Sequence, residues 1–341
     1  MQGKKQGQQG AEEAFTLIQR EIEKKKNLPE EQFRDYMTMV KQGPVIPGLF
    51  QGFIPQGKAY LPEYDLAAIS NYMAGDRAAA LAIVSMKKGD IENVLWLHDK
   101  DGGLHRGHMG GIAVSGNHMW LASEEFFYKI PVENVINAPA NSELSLGAPF
   151  STEVRCSFAT AFGGVVYIGE FRTRGRRYST RASHTYKTRD GTRNHALMAG
   201  FVLDEQTGSI KPSMKSSQTA FPSFFISIPD KVQGAAFIGN YIILSQSYGR
   251  RNTSVLSVYR NPLLRGADNS FTLENGKEVP VWYLDGLNHV KSINAPPMTE
   301  GIANVNGDLA VLFESGSDKY RWSARFPQDR IQIMDISKIT D

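Results

Sequence analysis

Gln233-Gly-Ala-Ala-Phe-Ile-Gly-Asn-Tyr-Ile-Ile-Leu-Ser245 decides the fold. A polar lead-in is followed by a short apolar strand. Gly239-Asn240 then makes a tight turn, and a second apolar strand begins at Tyr241. The phrase recurs with drift as Gln56-Gly-Lys-Ala-Tyr-Leu61 and as Gly110-Gly-Ile-Ala-Val-Ser-Gly-Asn-His-Met-Trp-Leu-Ala-Ser123. It returns as Ser157-Phe-Ala-Thr-Ala-Phe-Gly-Gly-Val-Val-Tyr-Ile-Gly169 and Glu300-Gly-Ile-Ala-Asn-Val-Asn-Gly-Asp-Leu-Ala-Val-Leu-Phe313. Self-similarity at a long period is the mark of a radial or solenoid architecture.

Working outward from these phrases, groups of four strands can be traced. The first covers residues 58–61, 66–71, 80–84 and 93–97, and the fourth covers 234–238, 241–246, 254–259 and 279–283. The second group is weak in its outer strand. The third is long, because a basic segment interrupts it before residues 224–228 close it. The fifth has strands at 301–305, 309–314 and 330–335 and then the chain ends. An open sheet edge invites aggregation, so the missing strand is expected from residues 44–54, just before the first repeat. The expected fold is therefore all-β: a five-bladed β-propeller, with six blades as the alternative, its last blade closed by an N-terminal strand. Residues 1–43 are expected to be a helical extension and residues 44–341 the propeller domain. Phe15, Ile18 and Ile22 recur at helical spacing, and Phe33, Met37 and Val40 form a second stripe ending at Gly43.

Composition agrees with a packed domain: hydrophobic residues are 41% and charged residues 21% of the chain, which excludes disorder. No apolar run approaches the ~20 residues that span a bilayer. A single cysteine, Cys156, excludes an internal disulfide and a cysteine-based zinc cage. The first ten residues lack the apolar stretch of a secretory signal. The protein is expected to be secreted or periplasmic if a leader was removed, and otherwise cytoplasmic. Between Phe171 and His195 eight basic residues face one acid, Asp190, although the whole chain carries only +3. The rest is acidic, and no nucleic-acid motif occurs.

In a propeller the inner strands start, and the second strands end, on one face. That geometry gathers Gln56, His108, Ser157, Gln233 and Glu300 around a common axis, with Asn71, Glu124, Glu170, Gln246 and Glu314 behind them. The charged loops follow the second strands on the same face, and loops on a rigid scaffold are where function sits.

Pro55-Gln56-Gly57, His108-Met-Gly-Gly-Ile-Ala-Val-Ser-Gly116, Asp230-Lys-Val-Gln-Gly234, Pro296-Pro-Met-Thr-Glu-Gly301, Leu312-Phe-Glu-Ser-Gly316 and Lys319-Tyr-Arg321 carry a resemblance. Over residues 44–335 the chain resembles a family of bacterial propeller proteins, many of them exported, that are distant relatives of the regucalcin, gluconolactonase and strictosidine-synthase propellers. The resemblance implies a divalent metal, usually calcium, in the axial pocket on a Glu, Asn and Asp set. Glu300 matches that set; the partner positions hold Gln56, Gly110, Ser157 and Gln233.

Each candidate has a chemical and a structural reading. Glu300 at the axis could be a metal ligand, a general acid or base, or an acceptor for backbone N–H groups. His108, in His105-Arg-Gly-His108, could act as base or ligand, or simply hydrogen-bond. The amides of Gln56 and Gln233 suit sugar hydroxyls or inter-blade bonds. Glu124, Glu170 and Glu314 could pair for hydrolysis, bind calcium or bridge to arginines. The basic insertion either recognises a planar anion through its arginines or is a solvated loop. The expected function is a hydrolase- or lyase-type enzyme acting on a small or saccharide-like, anionic substrate. Glu300 and His108 are its expected catalytic residues, and Ser157, Arg250, Arg321 and His195 join the binding set. The competing class is a non-catalytic propeller that holds a glycan, an anionic ligand or a protein partner.

Overall fold

The computed structural model describes residues 15–23, 30–210 and 218–340. Antiparallel strands are arranged as five blades around an axis. The inner strands are Phe53–Leu61, Gly111–Ser115, Phe158–Phe162, Val232–Ile238 and Thr299–Val305. Each contacts the next, and the fifth contacts the first, so the ring is closed. An apolar cluster fills every interval between neighbouring blades. A five-fold ring has a narrow hub, and glycines allow its strands to meet. A Cβ at Gly111 would lie 2.1 Å from the Ala159 nitrogen, and one at Gly301 would lie 2.7 Å from the Gln56 carbonyl oxygen.

Closure by an N-terminal strand is observed, but the donor is Val40–Val45, which pairs antiparallel with Arg330–Met334. Residues 46–52 instead form the turn that carries the chain to the first inner strand, with Gly48 and Gly52 at φ of 72° and 80°. The N-terminal helix is short: a 3-10 turn, Glu30–Phe33, leads into an α-helix, Arg34–Met39. Residues 15–23 are irregular rather than helical. Their backbone is served by other partners: Gln51 accepts from the Ile18 N–H and Asp329 from the Ile22 N–H, while Phe15 packs on Phe53 and Trp96. The remainder of the expected first helix, residues 11–14, and residues 24–29 lie outside the described residues.

The outer strand of the fourth blade is His289–Ala295, where residues 279–283 were expected. The chain first leaves that blade and adds Asn269–Thr272 and Glu278–Tyr283 to the outer edge of the third, pairing in parallel with Phe224–Ile228. Phe271, Val279, Val281 and Tyr283 there complete the cluster between blades two and three. An equivalent detour places Glu143–Ser145 on the edge of blade one before Phe150–Ser151 closes blade two. Both excursions cover an edge that would otherwise be open.

Candidate functional site

In blades one, four and five the inner strand carries a pairing irregularity at its start, between Pro55 and Lys58, Val232 and Gly234, and Thr299 and Ile302. Such bulges re-aim a side chain, and Gln56, Gln233 and Glu300 are the residues they contain. The Gln233 amide donates to Glu300 Oε1 at 3.1 Å, and the Gln56 amide donates to Glu314 Oε2 at 3.1 Å. Glu314 follows the second strand of the last blade, Asp308–Phe313. Its carboxyl and that of Glu300 are hydrogen-bonded to each other.

Burial and the neighbouring Glu314 raise the Glu300 carboxyl well above the ordinary range. Burial also raises Glu314, to about 7; the bonds from Gln56 and Glu300 and the charges of Lys319 and Arg250 oppose that rise. Glu300 therefore carries the proton at neutral pH and Glu314 ionises first. Glu300 is 2% exposed, whereas Glu314 still touches solvent. The pair lies at the axial ends of the strands of the last blade, with half-buried Glu314 as its solvent-facing member.

Beside the pair stand three groups that the sequence reading passed over, Tyr72, Lys319 and Tyr320, and one that it named, Arg250. Tyr72 and Tyr320 share a 2.8 Å hydrogen bond, and Lys319 donates to the Tyr72 hydroxyl at 3.0 Å. The Lys319 ammonium lies 4.8 Å and 5.2 Å from the two ring centroids, and Arg250 lies 4.9 Å from that of Tyr320. Burial holds both phenols in the neutral form, raising Tyr320 to about 12 and Tyr72 further. Tyr72 had a positional signal, since it follows Asn71 at a second-strand end. Lys319 and Tyr320 lie on a loop and had none beyond the family resemblance.

His108 stacks on Tyr72, with centroids 4.7 Å apart and planes at 30°. The residue is exposed, so neighbouring protein crowds the ring without enclosing it. Crowding pushes its pKa down to about 4, against the opposing charge of exposed Glu124 and with help from Lys319. Solvent works against that shift, and the neutral imidazole results either way.

The remaining expected site residues have other partners. Glu170 is buried and binds His184 Nδ1 at 3.0 Å and the Leu197 N–H at 3.0 Å. His195 faces Asp230 at 3.3 Å, which also pairs with Arg172. Arg321 pairs with Asp318 and lies over Phe50 at 4.2 Å. Ser157 is half-buried, and its carbonyl oxygen packs against Gly110 at the hub. Cys156 is fully buried with its thiol raised by burial, so it is no nucleophile.

A calcium ion takes six to eight oxygens, several of them carboxylate. Glu300 and Glu314 are already bound to each other and to two amide N–H donors, and no group of three or more His, Cys, Asp or Glu converges among the described residues. This donor set does not fit a resident calcium.

No family model matches the chain, and no curated protein matches it. Among solved structures it is similar to the glutaminyl cyclase of Myxococcus xanthus at 9% identity and TM-score 0.40, over 87% of this chain and 97% of that one. An oxidoreductase (glucose dehydrogenase) of Thermus thermophilus aligns at 12% identity and TM-score 0.39, over 87% of this chain and 100% of that one. The hydrazine synthase of Kuenenia stuttgartiensis aligns at 9% identity and TM-score 0.33 over 75% of this chain, which spans about 55% of that one. Likeness at this level carries no statement about activity.

Proposed function

We propose that the axial cluster around Glu300 and Glu314 is an acid–base centre of lyase or hydrolase type acting on a saccharide-like, anionic substrate, with elimination the better fit. The observation that carries this reading is the hydrogen-bonded carboxyl pair Glu300–Glu314. Glycosidases keep their two carboxyls about 5 Å or more apart so that the glycosidic bond and water or nucleophile fit between them. Two carboxyls in hydrogen-bond contact leave no such room. They do suit removal of a proton by one and delivery of a proton by the other.

In an elimination next to a carboxylate, Glu314 takes the acidic C–H proton. The electrons of that bond form the carbon–carbon double bond as the neighbouring C–O bond breaks, and the proton held by Glu300 goes to the departing oxygen. Lys319 and Arg250 neutralise the substrate carboxylate, which acidifies the C–H. Neutral Tyr72, Tyr320 and His108 orient hydroxyls, as do the amides of Gln56 and Gln233. The test is to incubate the protein with uronate-containing oligosaccharides and follow the ultraviolet absorbance of the new conjugated double bond. Absorbance growth that Glu314→Gln abolishes supports elimination. Reducing ends released without absorbance select hydrolysis, and neither product sinks the enzymatic reading.

A further inference from the structure

The eight cations of the basic insertion differ in their partners. Three are used as struts. Arg172 pairs with Asp230, Arg181 reaches Glu153 and Glu274, and Arg189 grips buried Asp285 through two bonds of 2.8 Å and 2.6 Å. Arg174, Arg176 and Arg177 are exposed and have no ion pair among the described residues. Lys187 and Arg193 are likewise exposed without an ion pair among the described residues, and the three struts hold the segment that presents these unpaired cations.

One of these arginines, Arg177, borders a group of rings. Phe171, Tyr178 and Tyr248 sit 5.2 Å, 6.1 Å and 6.3 Å apart, and Arg177 lies 5.2 Å from the Tyr178 centroid. Tyr248 is 44% exposed. Two residues on, Arg250 covers Tyr320 and bonds to Ser323, and Tyr320 reaches Tyr72. The loop of blade four, which carries both Tyr248 and Arg250, thus joins the rings beside blade three to the Tyr320–Tyr72 pair at the axial site.

We propose that this arc is the binding track for an acidic polysaccharide, one residue of which occupies the axial site; the assignment of that residue rests on the function proposed above. Ring faces take the C–H surface of a pyranose, and guanidinium groups take carboxylate or sulfate through paired hydrogen bonds. The cations are spread over loops of several blades instead of converging on one point, which suits charges repeated along a chain. A nucleic acid, with its closely spaced phosphates, is the competing occupant that the DNA arm of the test decides for or against.

Affinity electrophoresis of the full chain in gels containing alginate, heparin or neutral dextran tests the track, alongside a mobility shift with single-stranded DNA. Retardation by alginate or heparin and not by dextran is expected. The triple change Arg174→Gln, Arg176→Gln, Arg177→Gln and the single change Tyr248→Ala should each weaken it roughly tenfold, the equivalent of about 1.4 kcal/mol. Glu300→Gln should leave retardation intact while removing turnover, so that failure of the axial site and failure of the track read out separately. No retardation by either acidic polymer, unchanged binding in both track variants, or tighter binding to the DNA would overturn the proposal.

Discussion

Glu300 and Glu314 face each other across one bulge in the last blade, the first buried and the second half-buried. The Gln56 bond and the nearby Lys319 and Arg250 charges act on Glu314 and not on Glu300, which separates two chemically identical groups into a proton donor and a proton acceptor. Glutamine at position 314 keeps the shape and removes the base. General-base loss typically costs 10²–10⁴ in rate, so Glu314→Gln should reduce turnover of a uronate oligosaccharide at least ~100-fold. Native-like activity in that variant would refute the assignment.

The same carboxyl gives a signed stability prediction. Glu314 titrates at about 7 when folded, against an ordinary value of 4.5. Between those values the native state binds more protons than the unfolded chain, so this contribution is full at low pH and is lost as pH rises through about 7. Thermal melts of the wild type and Glu314→Gln should therefore diverge, the wild type losing more Tm than the variant as pH is raised across neutrality. Parallel pH profiles would show that the pair is not coupled to folding.

Lys58 carries the opposite sign. Its ammonium group is buried without a hydrogen-bond partner, and burial lowers its pKa from 10.5 to about 7. Here the unfolded chain binds more protons, so stability rises with pH from about 7 until the unfolded lysine itself titrates. Lys58→Met keeps much of the volume and abolishes that rise. At neutral pH it should stabilise the protein by about 1 kcal/mol, because an unpaired polar group is no longer desolvated. Urea unfolding at two pH values measures both effects.

Hub glycines should be intolerant. Gly111→Ala sets a methyl against backbone 2.1 Å away, where no flexible side chain can yield. Overpacking of this kind costs about 1–3 kcal/mol or more. Gly266→Ala is the control, since nothing lies within 4 Å of its Cβ and its φ is ordinary. Equal melting temperatures for the two variants would contradict the narrow five-fold hub.

Ring closure can be weakened at one hydrogen bond. Tyr36, on the helix before the closing strand, donates to Gln332 of the last blade at 2.6 Å in a fully buried position. Tyr36→Phe leaves the glutamine oxygen without a partner and should cost about 1–3 kcal/mol, read as a lower urea midpoint with an unchanged slope.

The apolar-turn-apolar phrase and its spacing were enough to give five blades, the inner-strand starts and the face on which Gln56, Gln233, Glu300 and Glu314 lie, because strand alternation and tight turns are local properties. The two edge-covering detours were not legible. Residues 279–283 read as a strand in either blade, and only the apolar surface left open on blade three selects between them. Residues 15–23 had helical spacing, yet groups such as Gln51 and Asp329, distant in sequence, satisfy their backbone instead.

At the site the division is the same. The sequence alone determined that Gln56, Gln233 and Glu300 begin inner strands, since each precedes a recurring glycine. Only the tertiary structure decided that Glu170 serves His184, that Arg321 serves Asp318, and that Tyr72, Lys319 and Tyr320 join the axial site. Protonation and pairing depend on burial and on neighbours brought together from different blades, and no local pattern along the chain encodes those distances.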